Sequence, residues 1–365
     1  MEWVGFAAGV VIILGTGSSI LHTLLLPRGA SSRLSGLLGR VSQRVFSALS
    51  RPIHSYEKTD RLLALQAPLF LLTELFTWLL LLGFGFALLL LPYLDGHLGN
   101  SVRESGSSLL TLGFQATDSA APTAIDLAAG ICGFGVITLL IAYLPTIYGA
   151  FNRREEAVTL LEARAGDPPW GPEVLARHQL VDIVDQLGEL YGFWEHWAAD
   201  VNETHTSYPV LVMFRSPHPL RSWVIAHLAV LDAAAMHLAL NPDTAPHQAR
   251  LCLRMGFTTL RSVAEGLGVT VDIDPEPDAP IDISFEEFAQ AVEHLRAYGF
   301  PMERGAEDAW PHFHGWRVNY EAAAYGLADL VAAVPAPWSG PRRHFDSAPM
   351  YPVRPAQRQP DAPGG

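Results

Sequence analysis

The chain has 365 residues, 49% of them hydrophobic, a formal net charge of −13 and only two cysteines. The acidic balance excludes nucleic acid as a partner, because phosphate binding needs basic patches. Cys132 and Cys252 make no disulfide framework, and the length suits two or three domains.

The apolar residues are concentrated at the front. Three long uncharged runs occupy residues 3–26, 75–94 and 127–151, and about 20 apolar residues suffice to cross a bilayer as a helix. Glu2 is the only charge ahead of the first run. With no basic n-region and an overlong apolar stretch, residues 1–27 are expected to be a retained transmembrane helix rather than a signal peptide. Gly15-Thr16-Gly17 within it is a candidate for close helix packing, or merely a flexible point.

Residues 28–66 form a basic linker. Arg28, Arg33, Arg40, Arg44, Arg51, Lys58 and Arg61 face only Glu57 and Asp60, whereas residues 95–126 hold Arg103 against Asp95, Glu104, Asp118 and Asp126. Arg153 and Arg154 follow the third run. Basic residues mark the cytoplasmic side. The expected topology is therefore a multi-pass plasma-membrane protein with the N-terminus outside, the 95–126 segment outside, and everything after residue 151 in the cytoplasm. The basic linker also offers a surface for membrane lipids.

Residues 67–152 read as helix, loop, helix. Glu74 lies about one turn inside the second span, where it is expected to reach the headgroups or pair with Arg61, and Gly83 and Gly85 lie mid-helix. Residues 95–100 read as an exposed loop, and residues 105–112 as a short helix capped by Ser105. Non-helical backbone at membrane depth is tolerated only where protein buries it or it lines a watery cavity.

Thr111-Leu112-Gly113-Phe114, placed between two spanning helices, resembles the Thr-x-Gly-aromatic core of the potassium-channel filter. The later Gly130-Ile131-Cys132-Gly133-Phe134-Gly135 and Tyr143-Leu144-Pro145 resemble the glycine-hinged inner helix of the bacterial two-transmembrane potassium-channel-like family. The resemblance covers residues 67–166. It implies an ion pathway of backbone carbonyls at Thr111, Leu112, Gly113, Phe114 and Gln115, which replace the hydration shell of a permeant potassium or other monovalent cation. It further implies an outer mouth at Asp118 and a hinge at Gly130, Gly133, Gly135 and Pro145. Four copies are required to enclose the path. The filter departs from the family at Gln115 and Ala116, where a second glycine and then an aspartate are usual. A side chain at Gln115 resists the left-handed backbone by about 1–2 kcal/mol. A channel-like scaffold that no longer conducts, serving as a membrane-anchored interaction or sensory protein, is therefore the alternative.

Residues 153–331 read as an α-helical cytoplasmic domain. Apolar periodicity predicts helices over 173–200, 223–240, 250–267, 285–297 and 316–331, with a capping box at Ser284 and Glu287. Residues 208–214 give the best strand signal, or a buried turn or helix. Gly266-Leu267-Gly268 reads as a helix C-cap, not a nucleotide loop. His312, His314 and His196 lack metal-ligand spacing, residues 272–278 read as a solvated linker, and no nucleophile–base pair points to an enzyme. Residues 332–365, with eight prolines, are expected to be a disordered tail. The fold class expected is an all-α membrane protein: three transmembrane helices with a re-entrant pore helix and filter loop, plus the helical cytoplasmic domain.

Overall fold

The computed structural model describes residues 2–25, 32–53, 55–342 and 348–353, and all regular structure among them is helical. Arg28 and residues 354–365 lie outside the described residues. Contacts divide the chain into one unit of Met1–Ala48 and Leu65–Gly149, and another of Leu49–Ala64 and Ala150–Gly365. The basic linker is thus not a separate segment. Its first part is helical within the first unit, and its last part packs into the second. Among the described residues four helical stretches are long and apolar enough to cross a membrane: Glu2–Leu24, Tyr56–Tyr93, Ala120–Ala165 and Trp223–Leu240.

In the first unit α1 (Glu2–Leu24) is followed by α2 (Arg33–Ser50). After α3 (Tyr56–Leu63), which belongs to the second unit, come α4 (Gln66–Leu90), α5 (Leu98–Leu109) and α6 (Ala120–Ala165), whose last turns enter the second unit. The α1–α4 pair crosses at glycines. A Cβ on Gly9 would stand 2.6 Å from the Gly85 carbonyl oxygen, and one on Gly85 2.8 Å from Ile13. Without side chains the two backbones approach closely, and dispersion and backbone contact replace the missing hydrophobic drive between apolar helices. Gly15 and Gly17 meet nothing within 4 Å, so the closest approach of α1 is made at Gly9.

A ladder of hydroxyls ties the start of α2 to this pair. The Trp78 indole N–H donates to Ser19 Oγ (3.2 Å), Ser19 bonds Ser32 (2.7 Å), Ser32 bonds Ser35 (2.9 Å), and Thr23 bonds Ser35 (2.9 Å). Ser35 in turn meets the carboxyl of Glu74. Glu74 is 3% exposed. It therefore ends a buried hydroxyl network rather than reaching toward headgroups, with Ser35 meeting the carboxyl while its Oε1 has no partner among the described residues.

The second unit is organised around a helix with no exposed face. It comprises α7 (Gly171–Leu180), α8 (Leu187–Ser207), α9 (Trp223–Leu240), α10 (His247–Gly266), α11 (Phe285–Ala297), α12 (Ala306–Arg317) and α13 (Glu321–Leu330), together with α3 and the end of α6. Every residue of α9 is buried, and α7, α8, α10, α12 and α13 all pack on it. A helix apolar on all sides belongs inside a large core or a bilayer. Here its own unit supplies the core, so α9 is a central helix of that unit.

The carboxylate that α9 carries inward is matched by partners from elsewhere in the unit, whereas the Trp223 indole nitrogen and His227 Nδ1 are buried without one among the described residues. Asp232 accepts from the fully buried Arg317 guanidinium and from Tyr320 Oη (2.8 Å), and Arg317 also donates to Glu321 (2.6 Å) and the Trp338 carbonyl (2.7 Å). Removing one partner of such a buried pair costs about 3–5 kcal/mol. Arg154 is handled in the same way. It is wholly buried and donates to Glu155 (2.8 Å) and to the carbonyls of Leu211 (2.8 Å) and Phe214 (2.7 Å). Of the two arginines after the third run, only Arg153 remains exposed, paired with Asp200.

Several helix boundaries differ from those expected. The helix predicted over 173–200 is broken at residues 181–186, where Asp182 takes φ +56°, a left-handed turn that Asp tolerates. The helix predicted over 316–331 is two, α12 and α13, separated at residues 318–320. Residues 208–214 form a buried 3-10 turn over Pro209–Met213 rather than a strand, with carbonyls nearby used by Arg154. The capping box at Ser284 and Glu287 and the helix over 285–297 are present. At the end of α10, Gly268 has φ +75° and Val269 N–H bonds the Ala264 carbonyl (2.9 Å), which closes the helix as its glycines suggest. Residues 332–342 are not a disordered tail. Val334, Ala336 and Trp338 are buried, and Arg342 donates to the Ala333 and Ser339 carbonyls (2.9 and 2.7 Å). Prolines hold this segment without needing amide donors, while its apolar residues fill the core.

Burial also lowers the pKa of His178, of His205 and, to about 4, of His227 and His237. The unfolded chain therefore binds protons that the folded unit refuses between about pH 6.5 and the lowered folded values. The stability these imidazoles contribute is complete above pH 6.5 and falls with acidification by up to about 1.4 kcal/mol per pH unit for each histidine, an effect that Asp232, raised to about 6 by burial, offsets only in part. Unfolding midpoints followed by circular dichroism from pH 7.5 to 4.5 are expected to drop steadily. A flat profile contradicts neutral buried imidazoles.

Candidate functional site: the turn between α5 and α6

The residues singled out in the sequence fall on the short helix α5, the turn after it and the first half of α6. α5 begins at Leu98, seven residues before the expected cap Ser105, with His97 at its N-cap. The expected cap is instead a mid-helix anchor, and Ser105 Oγ donates to the Gly83 carbonyl of α4 (2.7 Å). Leu109, the last residue of α5, packs by its Cδ2 3.5 Å from the position of a Cβ on Gly83. Gly83 lies seven residues before the end of α4, about 10 Å along the axis at 1.5 Å per residue. α5 therefore folds back alongside α4.

The other side of α5 is held by α6. A Cβ on Gly133 would overlap the Leu109 carbonyl, and one on Gly130 would lie 3.3 Å from the Ser108 carbonyl oxygen. Ser108 Oγ donates to Asp126 Oδ1 (2.7 Å). Gly130 and Gly133, expected as hinges, are thus contact points where α6 receives the end of α5. Gly135 meets nothing within 4 Å. Pro145 lies within the unbroken span of α6.

The turn itself is a Schellman motif. Thr111 N–H bonds the Ser108 carbonyl (3.1 Å), and Leu112 N–H bonds the Ser107 carbonyl (2.8 Å). Such a motif places its C′ residue in the left-handed region, normally a glycine. Here Thr111 occupies it with φ +55°, and Gly113 follows with φ +69°. The expected left-handed strain at Gln115 is therefore found at Thr111, a β-branched residue for which that conformation is an outlier.

Two side chains of α5 then catch the returning backbone. Ser107 Oγ accepts from Gln115 N–H (3.0 Å), while Glu104, with 0% exposure, accepts from both Thr117 N–H (3.1 Å) and Thr117 Oγ1 (2.8 Å). Between these anchors the backbone is open. Among the described residues no hydrogen bond reaches the carbonyl oxygens of Thr111, Leu112, Gly113, Phe114, Gln115 or Ala116. Leu112 and Phe114 are 62% and 59% exposed, and Asp118 is exposed at the far end. The fold thus gathers the five pathway residues into one turn. Glu104 and Ser107 were visible in the sequence only as a charge and a polar position. Their spacing to Thr117 and Gln115 has no periodic signal.

Comparison with known protein families, curated proteins and solved structures finds no match for this chain.

Replacing Gly133 with Val is expected to push α5 away from α6 and destabilise the first unit by about 1–3 kcal/mol, as overpacking does. Gly135→Ala, in open space, is expected to leave the melting temperature in detergent unchanged or slightly raised. Equal losses for the two variants contradict the contact.

Proposed function

We propose that the chain is one subunit of a cation channel, with four copies arranged about an axis lined by the turn between α5 and α6. The observation that carries this is the run of six consecutive carbonyl oxygens without donors, held beside the interior of two apolar helices. In hydrocarbon each such group costs several kcal/mol. A water-filled axis shared by several copies removes that cost, and carbonyl oxygens facing it coordinate a monovalent cation such as potassium in place of water. The apolar side chains exposed on α6, Leu127 (65%), Ile131 (73%) and Phe134 (65%), suit burial against neighbouring copies or lipid. The charge asymmetry of the sequence supports a turn on the outer side and a second unit in the cytoplasm. In this reading the protein is a re-entrant three-span subunit of the plasma membrane.

One observation favours the second reading, a membrane-anchored interaction protein that does not conduct. The Schellman bonds tie the amides of Leu112 and Thr111 back into α5, so the turn is tighter than an extended filter, and Gln115 stands where the family has glycine.

Reconstituted in liposomes, the protein is expected to pass potassium, and Gly113→Asp to abolish the flux by placing a charged side chain at a left-handed position in the pathway. Absence of flux for both potassium and sodium, or flux indifferent to the substitution, sinks the channel in favour of the interaction protein. Chemical crosslinking in mild detergent is expected to yield a ladder ending at four copies. A ladder that stops at two is incompatible with a four-fold pore.

A further inference from the structure

α2 presents three distinct faces, and only one of them is used within its unit. Ser35 is the inward contact of the hydroxyl ladder, and Gly39 lies 3.9 Å (as a Cβ position) from Phe70 of α4. A second face carries Leu37, Val41, Val45 and Leu49, spaced four apart and 51%, 47%, 48% and 52% exposed. Successive residues four apart on a helix drift by about 40°, so the four form a continuous stripe. The third face carries Arg33, Arg40 and Arg44 beside that stripe. The helix contains no acidic residue, and none of these arginines forms an ion pair among the described residues.

The position of α2 limits what can cover the stripe. Ser32, just before it, bonds Ser19, and Ser35 in its first turn bonds Thr23, both in the last turns of α1, and Gly39 meets Phe70, in the second turn of α4. It therefore sits where one apolar helix ends and another begins, at the edge of the slab that those helices define. An apolar stripe flanked by arginines at that level matches a bilayer interface. The aliphatic residues enter the acyl boundary while the guanidinium groups extend to headgroup phosphates.

We propose that α2 lies in the headgroup region of an anionic membrane leaflet and binds anionic phospholipid, with Leu37, Val41, Val45 and Leu49 in the acyl boundary and Arg33, Arg40 and Arg44 on the phosphates. The arrangement needs no pore and holds whether or not the protein conducts.

The test has two arms on the full chain. In the first, Val41→Cys is spin-labelled in a Cys132→Ala background, with the same background lacking Val41→Cys as the control for the buried Cys252. In vesicles of phosphatidylcholine and phosphatidylglycerol the label is expected to be reached better by oxygen than by a polar nickel chelate. Greater access for the chelate overturns the proposal. So does dipolar broadening that shows labels from neighbouring copies packed together, since the stripe is then covered by protein. In the second arm, the unlabelled chain is equilibrated with mixed micelles and its co-purifying lipids are counted. Phosphatidylglycerol is expected to be enriched over phosphatidylcholine, and each arginine removed by Arg40→Gln and Arg44→Gln to lower that preference by about fivefold. Equal retention of the two lipids by the unsubstituted chain, or a preference unchanged in the double variant, also overturns it, even if the labelled protein fails to fold.

Discussion

The close approach of α5 to its two neighbours is the contact on which the first unit depends. Gly133 lets the Leu109 carbonyl come against α6, and Ser105 bonds the backbone of α4 at Gly83. Wedged this way, a helix of twelve residues ends well inside the length of both neighbours. Helix termini leave their last carbonyls unpartnered, and the Schellman bonds at Thr111 and Leu112 absorb only the first of these. The turn that follows is then stretched between two anchors, Ser107 and the buried Glu104, and its own carbonyls are left open. Backbone strain at Thr111 is sustained because these surrounding bonds over-determine it.

The second unit solves a different problem with the same kind of device. Its central helix α9 is buried on every side yet carries Asp232, His227 and His237. Each of these must be neutral or partnered, since an isolated buried charge is prohibitive. Arg317 and Tyr320 supply the partner for Asp232, while His237 receives Tyr191 Oη at 3.2 Å. Arg154 has an analogous place against the 3-10 turn at Pro209–Met213. These networks draw on residues more than forty positions apart, so they specify one packing of the helices as well as satisfying polar groups.

Much of the fold was legible from residue order. The three uncharged runs at the front are helices, and Phe285–Ala297 begins at its capping box and Trp223–Leu240 at Trp223, as their periodicity indicates. The candidate turn was legible too, because Thr111, Gly113 and their neighbours stand out as mildly polar, glycine-bearing backbone between apolar helices. Less visible were the roles of particular side chains. Ser105 read as a cap and proved an anchor to α4. Gly130 and Gly133 read as hinges, and their contacts with the end of α5 were not visible. Arg154 read as one of the basic residues that mark the cytoplasmic side, and it is buried. The proline-rich segment after residue 331 read as disordered, although its Trp338 carbonyl completes the Arg317 network.

The sequence alone determined what each segment can do by itself: its helical periodicity, its capacity to cross an apolar slab, its capping chemistry and the sign of charge around it. These properties are local, because a hydrogen bond four residues away or a stripe every third or fourth position is written within the segment. The tertiary structure decided which glycine takes a neighbour's backbone, which arginine loses its water, which face of α2 is left bare and which six carbonyls are left without donors. Those outcomes depend on the distance to another element, and a spacing along one chain carries no record of that distance until the elements are packed.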